Sequence, residues 1–266
     1  MFMNGHLPNP TFPELIMNTT EALSVTSRPN GITGSHVMIF GGSSGIGLSA
    51  AIQAKDAGAK VTIIGSNPDR TASVAMQYGF NWRSADITDR EAVNAALSDV
   101  DDVDHLVLLA GSFVAGKIME AEPDYLRRAF DERIWASVDI LRALGDRLSE
   151  TASVTFISGV LADRPNAAGT AVLAAASSAM EGFARGLALE LAPRRFNTLS
   201  PGTTNTALLG RTLGAARDGY IASLSAQLPL KQIVSADAAG AAVLFLMQNP
   251  FMNGEVVHID GGQRLV

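Results

Sequence analysis

His36-Val37-Met38-Ile39-Phe40-Gly41-Gly42-Ser43-Ser44-Gly45-Ile46-Gly47 is the stretch on which the fold turns. Its first five residues form a short apolar run, the pattern of a buried strand. Leu48 to Ala57, closed by Gly58, then reads as a helix stopped by glycine. Strand, glycine turn and helix together are the context in which a glycine cluster carries chemistry. Gly41 lets the chain leave the strand sharply, Gly45 lets backbone approach a phosphate, and Gly47 lets helix and strand pack without a side chain between them. The helix N-terminus offers free N–H groups and a positive dipole end to an anion. Ser43, Ser44 and Ile46 complete the turn.

Downstream the same alternation continues. Val61–Ile64, Phe80–Ala85, His105–Leu109, Ser153–Ile157, Arg195–Leu199 and Glu255–Ile259 read as further strands. Helices are expected over Pro68–Tyr78, Arg90–Leu97, Pro123–Glu150, Ala174–Leu191 and Ala236–Met247. In the long segment from Pro123, Leu126, Phe130, Ile134, Val138 and Leu141 recur at helical spacing. Seven strand signals alternating with six helix signals predict an α/β fold. It is a Rossmann-type doubly wound sheet of about seven parallel strands, with helices on both faces, in one domain over 35–266. Residues 1–34 differ: Pro8, Pro10, Pro13 and Pro29 punctuate them, and they read as an N-terminal, partly irregular arm.

Composition narrows the function classes. The chain has 266 residues, 47% of them hydrophobic, enough to bury a large core. A net charge of −6 without a long basic run argues against a nucleic-acid partner. No apolar run approaches the roughly 18–20 residues of a membrane span. Cysteine is absent, which removes disulfides and thiolate chemistry and suits the cytoplasm. His6, His36, His105 and His258 are scattered without metal-ligand spacing, so structural roles are expected and no metal site. The methionines and Trp135 read as core or pocket lining.

Several motifs fall in one order. Gly41-x-x-x-Gly45-Ile46-Gly47, Asp86-Ile87, Ala110-Gly111, Glu181-Gly182 through Pro193, Pro201-Gly202-x-x-x-Thr206 and Asp260-Gly261-Gly262 together resemble the short-chain dehydrogenase/reductase family over about residues 35–264. The resemblance implies a dinucleotide cofactor. Asp86 and Ile87 would lie on its adenine side, Ala110 and Gly111 would end the family's Asn-Asn-Ala-Gly cofactor motif, and Pro201, Gly202 and Thr206 would lie on its nicotinamide side. It also implies a small-molecule substrate and a homodimer or homotetramer built on the two long helices.

The departures from that family are specific. Its catalytic tyrosine and lysine would fall on Leu173 and Ser177, and its helix asparagine on Arg133. Tyr78, Tyr125 and Tyr220 are the chain's three tyrosines, and none has lysine four residues on. A tyrosine of this kind protonates a carbonyl oxygen as hydride arrives, with lysine lowering its pKa. Leucine cannot donate that proton. The loop Ser158-Gly159-Val160-Leu161-Ala162-Asp163 lies where substrate should sit, so Asp163, Arg133 and Ser158 are the candidate catalytic residues, with Arg133 placed to pair with Asp163 or to orient an anionic or carbonyl substrate.

The second strand ends without a carboxylate for the ribose hydroxyls. Ser66, Asn67 and Arg70 there suit a 2′-phosphate, so NADP(H) is favoured over NAD(H). The expected function is an NADP(H)-dependent oxidoreductase with an atypical centre, acting on an iminium or conjugated intermediate. Some atypical members of the family in natural-product pathways reduce such intermediates, and this chain resembles them in keeping a loop aspartate without Tyr-x-x-x-Lys. The competing readings are a non-redox cyclase, pericyclase or isomerase, and a catalytically silent nucleotide-binding subunit.

Overall fold

The computed structural model describes residues 31–266, so the arm expected before residue 31 lies outside the described residues. The first strand, β1 (His36–Phe40), has five residues, and Val37 to Phe40 are buried. Side chains alternate across a strand, and β1 feeds two cores. Met38 and Phe40 enter one cluster with Leu106, Phe156 and Phe196. Val37 and Ile39 enter the other with Ala50, Ile63 and Val243. A strand buried on both faces belongs at the centre of a parallel sheet.

In chain order the elements are α1 (Gly45–Asp56), β2 (Lys60–Gly65), α2 (Pro68–Tyr78), β3 (Asn81–Ser84), α3 (Arg90–Leu97) and β4 (Val103–Leu108). There follow α4 (Pro123–Phe130), a π-helical turn (Asp131–Trp135), α5 (Ala136–Leu144), β5 (Leu148–Ile157) and α6 (Ala171–Glu190). The chain closes with β6 (Arg195–Pro201), α7 (Ala207–Leu213), α8 (Arg217–Gln227), α9 (Ala236–Gln248) and β7 (Val256–Ile259). The seven strands pair in the order β3-β2-β1-β4-β5-β6-β7, all parallel. Helices α3, α5 and α6 cover one face, while α1, α2 and α9 cover the other. The order reverses beside β1, so the ligand crevice opens at the carboxyl ends of β1 and β4.

Local chemistry fixes the helix ends. Asn67 accepts from the Arg70 N–H (2.8 Å), Pro68 sits in the first turn, and Gly79 stops α2 in the left-handed region at φ +67°. Asp89 caps α3 through the Glu91 and Ala92 N–H groups.

The structure differs from the sequence expectation in the middle of the chain. The long helix contains a π turn and ends at Leu144, where Gly145 turns away at φ +53°. β5 then starts at Leu148. Helices α7 and α8 had no sequence signal because neither buries a residue. Trp135 is 59% exposed, and Met76 and Met119 are exposed as well, so these are surface residues rather than core. Met38, Met180 and Met247 are buried as expected.

Candidate active site

The glycine turn is tightly built. A Cβ on Gly47 would run into the Gly41 carbonyl and lie 3.2 Å from the Gly42 Cα. One on Gly41 (φ +83°) would lie 2.9 Å from the Ala110 N, so the turn and the end of β4 touch. Gly45 adopts φ +55° beneath Thr206, which caps α7 by accepting from the Leu209 N–H. Ser44, the N-cap of α1, makes no side-chain cap bond, so its hydroxyl satisfies none of the first-turn N–H groups. Backbone too close for any side chain, at a helix start with no side-chain cap, fits a pyrophosphate. The residues present therefore suit a nicotinamide dinucleotide. Ser43 is buried behind this turn, and Ile46 packs at the edge of the α1 core.

At the adenine end, Ser66, Asn67 and Arg70 are all exposed after β2. Asn67 spends its side-chain oxygen on the α2 cap, while the Arg70 side chain has no partner among the described residues. Asp86 accepts from the Thr88 N–H and hydroxyl through Oδ1. Ile87 lines a small recess with Phe40, Leu108 and Ala110. At the nicotinamide end, Gly202 donates its N–H to the Ile259 carbonyl (2.9 Å) and sits against Asp260 and Gln263. Pro201 is the last residue of β6. A cleft of about 560 Å³ flanks this cradle between α1, α7 and α9, lined by Gly45, Ser49, Thr206, Arg217 and Asp237. It does not include the candidate catalytic residues.

The expected reaction-centre positions lie in the interior. Leu173 is buried with Val114, Leu126, Ala129 and Ala176, and Ser177 is buried one turn on. The two positions on which the resemblance sets tyrosine and lysine are thus both buried. Arg133 lies in the π turn beside Gly111 (φ +154°), and a Cβ on that glycine would lie 3.8 Å from the guanidinium. The terminal nitrogens of Arg133 donate to the Ala129 and Ser112 carbonyls (both 3.3 Å), and its Nε reaches no partner. Burial pushes this guanidinium below its ordinary range, and the Glu132 carboxylate offsets part of that shift. Glu132 itself is committed elsewhere. It accepts from the Ser112 N–H and hydroxyl (both 2.6 Å) and from Arg128 (2.6 Å).

Asp163 does not meet Arg133. It pairs with His258 of β7 (Oδ2 to Nε2, 3.1 Å). Arg133 stands at the end of β4, and β4 and β7 are separated by β5 and β6, about 14 Å at ordinary strand spacing. Ser158, at the end of β5, donates its hydroxyl to Glu181 Oε1 on α6 (2.8 Å). Three residues therefore join the site that the sequence did not assign there. Glu181 served only to align the long helix, His258 read as structural, and Glu132 carried no motif. A carboxylate four residues after Ser177, on the same helix face, was the available signal for Glu181. The other described histidines hold structural bonds: His36 to Thr62 and to the Asp102 carbonyl, and His105 to Ser153.

Sheet order, glycine turn and carboxyl-edge site define a nucleotide-binding α/β enzyme. The chain belongs to the short-chain dehydrogenase/reductase family of oxidoreductases. The family model for enoyl-(acyl carrier protein) reductase matches residues 41–264. The short-chain dehydrogenase/reductase ATR9 of Stachybotrys chlorohalonatus is 30% identical over 255 residues, covering 87% of this chain and 97% of that one. A crystal structure of a small-chain dehydrogenase in complex with NADPH superposes with a TM-score of 0.76 at 30% identity, covering 88% of this chain and all (100%) of that one. The MalC reductase/Diels-Alderase of Malbranchea aurantiaca shares the fold with a TM-score of 0.82 at 22% identity, covering 88% and 98%. Among the described residues no helix is long and apolar enough to cross a membrane.

Proposed function

We propose that the chain is an NADP(H)-dependent reductase of a conjugated or iminium intermediate in a natural-product pathway. The observation that carries this is the intact glycine cradle facing a centre whose tyrosine position is the buried Leu173. Bound NADPH would supply hydride. The chain's residues would bind and orient the dinucleotide at Gly41, Gly45 and Gly47, hold the loop after β4 through Glu132 and Arg133, and present Ser158 to the substrate. An electrophile that needs no strong protein acid suits such a centre.

The exposed Arg70, whose side chain has no partner among the described residues, with Ser66 and Asn67 beside it, supports NADP(H) over NAD(H). The NADPH-bound relative supports the same preference. An oligomer is supported by the open edge of β7 together with Phe245 and Phe251, which are 47% and 90% exposed. We assign a homodimer or homotetramer, read by light scattering of the purified protein, and a cytoplasmic location in keeping with the cysteine-free sequence.

The test is incubation of the purified chain with NADPH and a panel of imines, enones and ketones, following absorbance and product mass. NADPH oxidation with a reduced product is expected. Product formation unchanged when NADP⁺ replaces NADPH would sink the reductase reading in favour of a cyclase. Failure to bind either dinucleotide would remove both.

A further inference from the structure

Across the carboxyl edge of the sheet, three neighbouring strands place polar side chains in one row. β5 and β6 run in register as far as Ile157 beside Leu199, and the Ser158 N–H continues the ladder to the Leu199 carbonyl (2.8 Å). The next position sets Ser158 beside Ser200. In turn Ser200 is in register with His258 of β7. Phe156 and Phe196 belong to the α6-side core, whereas Leu199, Ile157, Val257 and Ile259 belong to the other. Alternation therefore puts Ser158, Ser200 and His258 on the same face, the one covered by α6. Each end of the row is closed by a carboxylate: Glu181 on Ser158 (2.8 Å) and Asp163 on His258 (3.1 Å). The order is Glu181, Ser158, Ser200, His258, Asp163.

The middle member is the anomaly. Ser200 is fully buried at 0% exposure, and its hydroxyl reaches no partner among the described residues. Thr198, two residues deeper on the same face, is likewise buried with an unpartnered hydroxyl. A buried hydroxyl left unsatisfied costs about 1–3 kcal/mol and calls for an explanation. An apolar residue at Ser200 would avoid that cost. Adjacent strands stand about 4.8 Å apart, so a small rotation or one water closes each gap between side chains.

We propose that this row is a proton relay from His258 through Ser200 to Ser158, which replaces the missing tyrosine and lysine and fits the site for a conjugated carbonyl substrate. The inference rests on the reductase reading above. In the resting state Glu181 holds the Ser158 proton, and His258, as the imidazolium, donates Nε2–H to Asp163 and leaves Nδ1–H for Ser200. As the β-carbon of an enone gains hydride from the reduced nicotinamide, its carbon–carbon π pair moves to the adjacent bond and the carbonyl π pair moves to oxygen. That oxygen takes the Ser158 proton, Ser158 takes the Ser200 proton, and Ser200 takes the Nδ1 proton of the His258 imidazolium. The product is an enol that tautomerises to the ketone, and solvent reprotonates His258. Asp163 is a positioning residue that holds the His258 ring by Nε2. The nearby Asp260 is closed on Arg264 and on the backbone N–H groups of Gly262 and Arg264, and Arg164 follows Asp163 in the loop. A preformed iminium accepts hydride without a proton, so the row would stand idle for it.

The test uses the full-length chain and the variants His258→Gln and Ser200→Ala. With NADPH, cyclohex-2-enone and the N-methyl-3,4-dihydroisoquinolinium cation serve as the two probes. Each variant should lose kcat on the enone at least about tenfold more than on the iminium, with the enone KM little changed. Equal losses on both probes, or none on the enone, would overturn the relay. A second readout needs no substrate: the ¹⁵N resonance of His258 Nδ1 should move in Ser200→Ala. Unmoved signals would overturn the relay too. If the wild-type protein oxidises NADPH with neither probe, the reductase reading fails instead, and the ¹⁵N measurement alone decides whether the row is coupled.

Discussion

Gly47→Ala tests the glycine cradle where its geometry is most demanding. Gly47 lies inside α1, where alanine is ordinarily preferred to glycine by about 1 kcal/mol. Here the added methyl would run into the Gly41 carbonyl oxygen and lie 2.9 Å from the Gly41 carbonyl carbon. Ordinary carbon–carbon contact begins at about 3.5 Å, so helix and turn must part by at least about 0.6 Å. Both partners are backbone, and no rotamer relieves the clash. Overpacking of this kind costs about 1–3 kcal/mol, which exceeds the propensity gain over most of its range. The expected net loss is up to about 2 kcal/mol, or as much as roughly 8 °C in Tm for a domain of this size. Gly219→Ala is the matched control, because it lies on α8 with nothing within 4 Å of its Cβ position. It should raise stability by up to about 1 kcal/mol. Differential scanning fluorimetry reads the stabilities, and calorimetric titration with NADPH reads the cradle. Gly47→Ala should weaken binding at least about tenfold, equivalent to about 1.4 kcal/mol. A Gly47→Ala protein as stable as its parent, binding NADPH as tightly, would refute the close approach of α1 to the turn.

Four further outcomes follow from the site. Arg70→Ala should weaken NADPH by about five- to a hundredfold and leave NADH within twofold, since only the 2′-phosphate needs that charge; parallel losses in titration would count against a phosphate role. Arg133→Met should leave Tm equal or higher while turnover with the best substrate of the panel falls, because removing a buried, incompletely bonded cation spares its desolvation cost. A falling Tm would mean that the two carbonyl contacts outweigh that cost. Glu132→Gln should cost about 1.5–3 kcal/mol in urea unfolding, the worth of hydrogen bonds to a buried charge. For Asp260, burial raises the carboxyl pKa, but the N–H groups of Arg264 and Gly262 and the Arg264 charge outweigh it and hold it below the ordinary range. Its stabilisation is therefore present above the unfolded carboxylate pKa and lost as pH falls through the folded one. Asp260→Asn should lower stability at neutral pH and shrink the acid-induced loss, as measured by unfolding at pH 7 and pH 3.

Much of the sheet was legible because strands buried on both faces read as apolar runs bounded by turn residues, and β1 and β2 are such runs. The cradle was legible because backbone contact with phosphate leaves glycine as its mark. What stayed hidden depended on three-dimensional neighbours. The stripe at Leu126, Phe130, Ile134, Val138 and Leu141 implied one continuous helix, whereas burial keeps Leu126 and then follows Ala129, Ala136, Ile140 and Leu144. Helices α7 and α8 lie on the surface and lack an apolar face to read. Asp163 was visible as a loop acid, but its partner His258 is 95 residues away and is set by strand register. Glu181 served to align the long helix, and only the fold brought Ser158 to face it.

The π turn at Asp131–Trp135 sets phase as well as position. A turn of this kind holds one residue more than an α-helical turn, so α5 is rotated relative to the frame that α4 would have continued. The neighbours Glu132 and Arg133 can then grip the same residue, Ser112, one by its N–H and hydroxyl and the other by its carbonyl. Upstream and downstream halves of the helix thus obey separate reading frames. Removing a single residue from the turn would keep the helix and leave both halves apolar on one side. It would, however, set them out of step, so that either the contact of α5 with the sheet or the grip on the loop after β4 must be given up.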